Sequence, residues 1–263
     1  MKNVLPIQEQ KSDPQFASTL ANGIDVLACF QHGETALGNK DFSERTGLSP
    51  STVFRLTYTL VQLGYLRKLP GESKYRPGPA LLTTAYPLLA SMQLRQLARS
   101  LMRELAERVD GAVSLVVKDQ CRMLHVETSR ANESLITHPD IGSSMPMLNT
   151  AAGKAWLCQA SADEQERALN ELKVRMPEEY GSYFPDLKLA LSEFEKTGCC
   201  SSRGQWKKSV YGFATPFVHA GDSMVYIINC GVPSGSGSFG ERKKEVFPLL
   251  RELVRRIDAI LQY

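Results

Sequence analysis

The chain has 263 residues, of which 43% are hydrophobic, and its formal net charge at pH 7 is +3. This length and composition suit one or two domains with ordinary hydrophobic cores. They argue against a membrane protein, because no run of about 18 apolar residues occurs, and the polar N-terminus lacks the apolar centre of a signal peptide. We therefore predict a cytoplasmic protein in which residues 1–15, broken by prolines, are disordered.

A first helix is predicted directly after this N-terminal segment. Its apolar side chains recur at helical spacing and predict a stripe that packs behind the segment that follows. These side chains are Leu20, Ile24, Leu27 and Phe30.

Residues 42–66 predict two short helices joined by a tight turn. Gly47 is typical of a helix end in the left-handed conformation. Ser49 is a good N-cap, and Pro50 suits the first helical position. The second helix has an apolar face, formed by Val53, Leu56, Leu60 and Leu63, and a polar face near its start, formed by Ser49, Ser51, Thr52 and Arg55. This pattern favours a helix-turn-helix whose second helix reads base edges. An ordinary helical hairpin is the alternative.

A basic β-hairpin follows the second helix. Residues 65–69 alternate as a strand, residues 70–73 form a turn, and residues 74–76 form a return strand closed by Pro77. Between Arg45 and Arg76 there are six cations against one acid, Glu72, which is a local excess of +5. A hairpin of this kind indicates the wing of a winged helix-turn-helix domain, spanning residues 16–79, and the charge indicates contacts with DNA phosphates. A solvated surface, or a domain that binds protein instead of DNA, is the alternative.

The predicted DNA contacts combine the polar helix face with the cations around it. They are Arg45, Ser49, Ser51, Thr52, Arg55, Arg67, Lys74 and Arg76. The predicted partner is double-stranded DNA.

Residues 80–109 predict a long helical stretch, interrupted near Pro87. Four leucines lie on one side of it, at Leu94, Leu97, Leu101 and Leu105. Such a stripe suits a linker helix and dimer seam, and it suits packing onto the helix's own domain equally well.

Residues 110–263 predict an α+β domain, because hairpin-forming strands alternate with amphipathic helices. The predicted strands are 112–117, 122–127, 210–218 and 224–229, with turns at 118–120 and 220–222. The predicted helices are 151–157, one capped by Ser161 and Glu164, 186–197 stopped by Gly198, and 241–261.

No catalytic or metal-binding motif supports an enzyme. Gly153-Lys154 is not a phosphate loop, because Leu148 replaces its first glycine and Ala155 replaces its Ser or Thr. The four histidines are scattered, and the six cysteines contain no CxxC pair. We predict no metal and no cofactor. Free thiols in a reducing cytoplasm are the default interpretation, with a redox role for the adjacent Cys199 and Cys200 as the alternative.

Small and polar residues surround the predicted helix start at Ala151. Backbone N–H groups at such a helix start are open to an anion, which the helix dipole also favours. Tight packing of the helix on a sheet requires the same small residues, and the sequence alone leaves both interpretations open.

The order of these segments resembles the IclR family of bacterial transcription regulators. The similar segments are TLANGIDVLACF, RTGLSPSTVFRLTYTLVQLGYL, KYRPGPALL, PMLNTAAGKAWL, YGFATPF and NCGVP. The resemblance implies an N-terminal winged helix-turn-helix domain, a linker helix, and a C-terminal GAF-like domain that binds a small molecule. It also implies homodimers, or dimers of dimers, on palindromic operators.

By position, the resemblance also implies an effector pocket. Its residues would be Thr150, Ala151, Ala152, Ser202, Asn229 and Gly231. Asn229 is larger than the serine often found there, and Ala151 replaces a common glycine, so we expect a ligand different from the small keto acids that some members bind. Trp206 and the Lys207-Lys208 pair near the pocket edge favour an aromatic or larger carboxylate, although a surface loop explains them equally well.

Together these observations predict a ligand-responsive transcription regulator of a catabolic operon. The opening of the chain is similar to members that control the catabolism of aromatic acids, so the predicted effector is a small organic acid of aromatic or other carboxylic metabolism. The alternatives are a protein-interaction module and a small-molecule enzyme tethered to a winged helix.

Overall fold

The computed structural model describes residues 13–31, 33–132, 140–218 and 224–261. The chain divides between Ser91 and Met92 into two compact units. The disorder predicted for residues 1–15 falls almost wholly outside the described residues. Of that segment only Asp13–Gln15 is described, and it forms a turn in which the Gln15 N–H donates to the Asp13 carboxylate at 2.8 Å.

The first unit is the predicted winged helix-turn-helix. Its elements are α1 (Ser18–Ala28), β1 (Leu37–Gly38), α2 (Asn39–Thr46), α3 (Pro50–Gln62), β2 (Leu66–Lys68), β3 (Lys74–Pro77) and α4 (Ala80–Ser91). Gly47 ends α2 with a φ of 70°, and the Ser49 hydroxyl accepts the Thr52 N–H at the start of α3. The strand β1 pairs with the hairpin β2–β3 and makes a three-stranded sheet of order β1-β3-β2. The sequence analysis did not predict β1, because it has only two residues.

The apolar stripe predicted on α1 is half right, because Leu27 and Phe30 pack against the core of the first unit and Leu20 and Ile24 do not. Leu20 and Ile24 are 66% and 56% exposed, whereas Val26 is fully buried. The inward face of α1 is the one that packs Val26 and Leu27 into the same core as Leu56 of α3. Leu63, predicted on the apolar face of α3, is 60% exposed because it lies just past the helix end.

The long helical stretch breaks at Met92 and not at Pro87. Helix α4 runs through Pro87 to Ser91 with no buried residue, and α5 (Gln93–Val109) begins after Met92. Leu94, Leu101 and Leu105 are buried in the core of the second unit, while Leu97 is 40% exposed. The leucine stripe was predicted either to form a dimer seam or to pack onto the helix's own domain, and α5 does the second. The second unit therefore begins at residue 92 instead of 110.

The second unit is an α+β domain built on a six-stranded antiparallel sheet. After α5 its elements are β4 (Ala112–Asp119), β5 (Arg122–Arg130), β6 (Ser144–Pro146), α6 (Ala151–Gln159), α7 (Ala162–Arg175), α8 (Pro177–Tyr183), α9 (Asp186–Thr197), β7 (Cys200–Arg203), β8 (Val210–Val218), β9 (Val225–Pro233) and α10 (Phe239–Leu261). The strand order is β6-β5-β4-β9-β8-β7. The predicted elements are all present, the short β6, α8 and β7 are additional, and the predicted turn at 220–222 lies outside the described residues. Throughout the described ranges, no helix combines the length and apolar character needed to cross a membrane.

The sheet has a core on each face. Helices α5 and α10 cover one face, and α6, α7 and α9 cover the other. Alternation along the strands turns Ser114 of β4 and its neighbour Asn229 of β9 toward the α6 face. Gly231 of β9 and its neighbour Gly212 of β8 lie on the same face, next to the start of α6.

Helix α6 packs very closely on the segment before it. A Cβ atom on Gly153 would lie 2.1 Å from the Met147 carbonyl oxygen, far inside contact distance. Gly153 is therefore required by the close approach of α6 to the segment before it. Packing of the helix on the sheet, one of the two interpretations of the small residues, is seen at the buried Ala152.

Replacing Gly153 with Ala should destabilise the second unit by at least ~2 kcal/mol, because the added methyl group overlaps backbone atoms that cannot yield cheaply. Chemical denaturation of the full chain measures the loss. Gly181→Ala in α8 is the matched control, since nothing lies within 4 Å of its added Cβ, and it should be neutral or stabilising by ~0.5 kcal/mol. Equal stabilities of the two variants would contradict the close approach of α6.

His125 of β5 is a buried base. Its Nδ1 donates to the Ser143 carbonyl at 2.9 Å, while Nε2 is buried without a partner among the described residues. Burial lowers the pKa of His125 to about 4, opposed by the hydrogen bond to Ser143. Lys207 and Arg130 lower this pKa further, and Asp140 raises it. The imidazole is therefore neutral in the folded protein at pH 7.

Because the folded pKa of His125 lies below its unfolded value of 6.5, the unfolded state binds the extra proton between pH 6.5 and 4. The stabilisation is complete above pH 6.5 and is lost as the pH falls through this window. His125→Asn keeps a donor for the Ser143 carbonyl and cannot titrate. Between pH 7 and 4.5 the wild type should lose ~2 kcal/mol more stability than the variant, measured by chemical denaturation. Parallel pH profiles would contradict this assignment.

Candidate functional site

The exposed face of α3 carries the residues predicted to contact base edges, but some of their hydroxyl groups are already hydrogen-bonded within the helix cap. Ser51 and Arg55 are exposed. The Ser49 hydroxyl is occupied as the helix cap, and the half-buried Thr52 hydroxyl lies 2.9 Å from it. The Ser51 hydroxyl also lies 3.1 Å from the Ser49 hydroxyl. Arg55 is therefore the predicted residue of α3 whose side chain can reach a ligand without disturbing the cap.

Two aromatic side chains on α3 were missed by the sequence interpretation. Phe54 and Tyr58, one helical turn apart, are 59% and 61% exposed. Their positions fall outside the 53, 56, 60 spacing that defines the buried face, which was the signal available. Apolar rings beside Arg55 are suited to contacts with thymine methyl groups.

The wing places like charges opposite each other. Arg67 of β2 pairs directly with Arg76 of β3, and Lys74 lies two residues before Arg76 on the same side. The opposite side holds Leu66 and Tyr75, both buried. Opposed like charges destabilise a hairpin, so this exposed basic face is arranged to meet an anion.

Arg45 is not part of that free positive charge. Its guanidinium donates two hydrogen bonds of 2.6 Å to the Glu34 carboxylate and one of 2.7 Å to the Cys29 carbonyl. The hydrogen bond from Arg45 lowers the pKa of Glu34 to about 2. The prediction that Arg45 contacts DNA did not account for Glu34, which lies outside the charge window and reduces the local excess by one.

In the second unit, the α6 face of the sheet encloses a cleft whose empty space, including its open mouth, is about 580 Å³. Five of the six predicted pocket residues line it: Thr150, Ala151, Ser202, Asn229 and Gly231. The sixth, Ala152, is fully buried in the core between α6 and the sheet and does not reach the cleft. The remaining lining residues are Ala112, Ser114, Met145, Trp206, Lys207, Val210 and Gly212.

Most hydroxyl groups of the cleft are already hydrogen-bonded. Thr150 Oγ1 donates to the Pro146 carbonyl at 2.6 Å and accepts the Gly153 N–H at 3.2 Å. Ser202 Oγ donates to the Asn149 carbonyl at 2.9 Å.

Two groups remain open to a ligand. The Asn229 amide and the Ala151 N–H have no hydrogen-bond partner among the described residues. Gly212 keeps the space in front of Ala151 open, because a Cβ atom on Gly212 would lie 3.9 Å from the Ala151 nitrogen. The cleft thus presents one helix-terminal donor and one amide.

Positive charge lies beside and behind this cleft. Lys207 Nζ lies 4.7 Å from the Trp206 ring centroid, and both residues line the cleft, whereas Lys208 does not. Lys154, one turn into α6, is 4% exposed and donates to Gln205 at 2.7 Å. Burial lowers the pKa of Lys154. The sequence could not reveal that this lysine is internal.

Nothing in this arrangement indicates catalysis. Among the described residues, no group of three or more His, Cys, Asp or Glu side chains could hold a metal ion. The chemistry of the cleft is that of binding, with an apolar lining and few polar groups.

Comparison with known proteins places both units in one family. The model of the IclR helix-turn-helix domain matches residues 19–70, and that of the bacterial transcriptional regulator IclR C-terminal domain matches residues 87–259. The HTH-type transcriptional regulator TsaQ1/TsaQ2 of Comamonas testosteroni is 29% identical over 256 residues, which cover 97% of this chain and 92% of that protein.

Solved structures agree. An IclR family transcriptional regulator from Brucella abortus is 33% identical and superposes with a TM-score of 0.83, covering 99% of this chain and 98% of that one. An IclR homologue from Microbacterium hydrocarbonoxydans, solved with 4-hydroxybenzoate, has the same fold at 22% identity and a TM-score of 0.72, covering 93% and 99% of the two chains. With both units matched in order, the protein belongs to the IclR family of bacterial transcriptional regulators.

Proposed function

We propose that this regulator, with its DNA-binding unit and its effector unit, reads its operator through α3 and the β2–β3 wing and responds to an aromatic carboxylate. As a family member it is a transcription regulator and not an enzyme. The main support for DNA binding by the wing is that Arg67 and Arg76 lie directly opposite each other in the β2–β3 hairpin. Two guanidinium groups held opposite each other on an exposed face gain most when a phosphate lies between them.

The two basic elements should have different roles on DNA. Arg55 projects from the exposed face of α3, where side chains reach base edges, whereas Arg67, Lys74 and Arg76 lie on the wing. Phosphate contacts fix position and supply affinity, and base contacts supply specificity.

Arg55→Ala should weaken operator binding by ~1–3 kcal/mol and leave random-sequence binding nearly unchanged. Arg76→Ala should weaken binding to both duplexes and flatten the salt slope by ~0.9 for each phosphate that the variant no longer neutralises. Binding titrations over a salt series on operator and scrambled duplexes measure both effects. Lys188→Ala, on the exposed surface of α9, is the control and should change neither. Equal losses on the two duplexes for Arg55→Ala would assign that residue to phosphate alone.

For the effector, the cleft supports an anion with a flat apolar body. The free Ala151 N–H at the start of α6 and Lys207 suit a carboxylate, and Asn229 can donate or accept a further hydrogen bond. Trp206, Met145 and Val210 supply apolar surface for a ring. The 4-hydroxybenzoate bound by the Microbacterium hydrocarbonoxydans homologue belongs to the same chemical class. Control of a catabolic operon for such an acid follows as part of the proposal.

Gly212→Ala tests this cleft with the smallest change available. Its methyl group would meet Ala151 Cβ at 3.5 Å and Ser202 Cβ at 3.7 Å, which are ordinary contacts, so the fold should persist. Aromatic carboxylates such as 4-hydroxybenzoate and benzoate should raise the melting temperature of the wild type. The variant should bind them about tenfold more weakly, because the methyl group occupies the space before the Ala151 N–H.

Gly240→Ala is the matched control, since its added Cβ meets nothing within 4 Å, and it should respond as the wild type does. A response to pyruvate but not to benzoates would replace the aromatic class with short keto acids. An unchanged benzoate response in Gly212→Ala would place the effector elsewhere.

We also propose that the protein is a homodimer. Its first unit exposes large apolar side chains on α1 and α4 for which that unit offers no cover. They are Leu20, Ile24, Leu82, Tyr86 and Leu88. A second copy of the same unit would bury them, as an operator with two half-sites requires.

Leu82→Glu should convert the dimer to a monomer, because a carboxylate would be buried at the proposed seam. Light scattering after size exclusion measures the mass. Thr83→Glu introduces the same charge at the next exposed position of α4 and serves as the control. A wild type that is monomeric at micromolar concentration, or a Leu82→Glu variant that remains dimeric, would contradict this seam.

A further inference from the structure

Two cysteines far apart in the sequence meet between the last turn of α6 and the start of β7. The Cys200 thiol donates to Cys158 Sγ at a sulfur–sulfur distance of 3.8 Å. Cys158 lies in the last turn of α6 and is half-buried, and Cys200 is the fully buried first residue of β7. We propose that Cys158 and Cys200 form a redox-active dithiol that a hydroperoxide converts to a disulfide.

The surroundings differentiate the two thiols. The hydrogen bond from Cys200 lowers the pKa of Cys158, and the same interaction together with burial raises the pKa of Cys200. The buried ammonium of Lys154, one helical turn before Cys158, adds to the lowering. Cys158 is thus the thiol with more thiolate character and more solvent access, which are the two properties of an attacking cysteine.

The disulfide forms in two steps, an oxidation of Cys158 to a sulfenic acid and a condensation with Cys200. The Cys158 thiolate attacks the outer oxygen of the hydroperoxide, an S–O bond forms, the O–O bond breaks, and the alkoxide leaves as an alcohol after taking up a proton. Cys200 then attacks the sulfur of the sulfenic acid, the S–S bond forms, and the S–O bond breaks with release of water. The two cysteines lose two electrons and two protons, and the hydroperoxide becomes one alcohol and one water.

The local structure permits this closure. The sulfur atoms must approach from 3.8 Å to about 2.0 Å. Cys158 is one residue from the end of its helix, and β7 is an edge strand of the sheet, so neither is fixed on all sides. Cys199, the sequence neighbour of Cys200, lies on the opposite face of the sheet against α10 and cannot take part. The adjacent pair suggested by the sequence is therefore not the reacting pair.

A disulfide here would join two elements that line the effector cleft. Helix α6 contributes Thr150 and Ala151 at its other end, and β7 contributes Ser202 two residues after Cys200. The dithiol stands independently of the effector's identity, because its formation requires neither ligand nor DNA.

The decisive experiment treats the full-length wild type with hydrogen peroxide and counts thiols after denaturation. Free thiols should fall from six to four. Non-reducing peptide mapping by mass spectrometry should identify a Cys158–Cys200 peptide lighter by two hydrogens, and dithiothreitol should restore the six thiols.

Variants sharpen the assignment. Cys158→Ser should abolish the cross-link, and Cys199→Ser, its matched control, should retain it. Cys200→Ser should stop at the sulfenic acid of Cys158, which a dimedone adduct reveals. Oxidation of wild-type Cys158 only to sulfinic acid, a disulfide that includes Cys199, or six free thiols after peroxide treatment would each overturn the proposal.

Discussion

The contact between the first turn of α6 and the chain before it constrains the rest of the effector unit. Gly153 allows the helix to lie against the Met147 carbonyl, which a Cβ would approach to 2.1 Å. Gly212 on the facing strand completes the arrangement by leaving space above Ala151. One glycine therefore brings the helix start onto the segment before it, and the other leaves space between the helix start and the sheet. The cleft is the space that remains between the start of α6 and the facing strands of the sheet.

A different constraint governs the DNA-binding unit, where electrostatics oppose the isolated fold. The hairpin opposes Arg67 to Arg76 on its exposed side, while the buried Leu66 and Tyr75 on the other side and the pairing of β3 with β1 hold it to the unit. By contrast, Arg45 is neutralised by Glu34 and fixes the end of α2 near Cys29. The unit thus has two kinds of cation. Arg45 stabilises the fold through an ion pair, whereas Arg67 and Arg76 face each other on an exposed surface. The first kind adds little to the net positive field of this unit, because its charge is balanced by a neighbouring carboxylate.

The sequence predicts well what is determined locally. Helix ends at Gly47, Ser49 and Gly198 lie where the capping residues indicate, because caps depend on neighbours within one turn. Prediction failed where the answer depends on distant residues. The inward face of α1 depends on its packing against α3, and the partner of Arg45 lies eleven residues before it. Family resemblance gave five of the twelve residues that line the cleft, and Trp206 and Lys207 were expected at its edge, whereas the contributions of β4, β6 and β8 required the register of the sheet.

The positions of the two tryptophans give the protein a useful optical property. Trp206 lines the cleft with the Lys207 ammonium over its ring, whereas Trp156 is buried in the core of the same unit under Lys118. A molecule entering the cleft would change the polarity around one indole and leave the other shielded. The chain has only two tryptophans. The fluorescence of Trp206 therefore reports occupancy of the cleft, and that of Trp156 serves as an internal reference, so that ligand binding can be measured without a label.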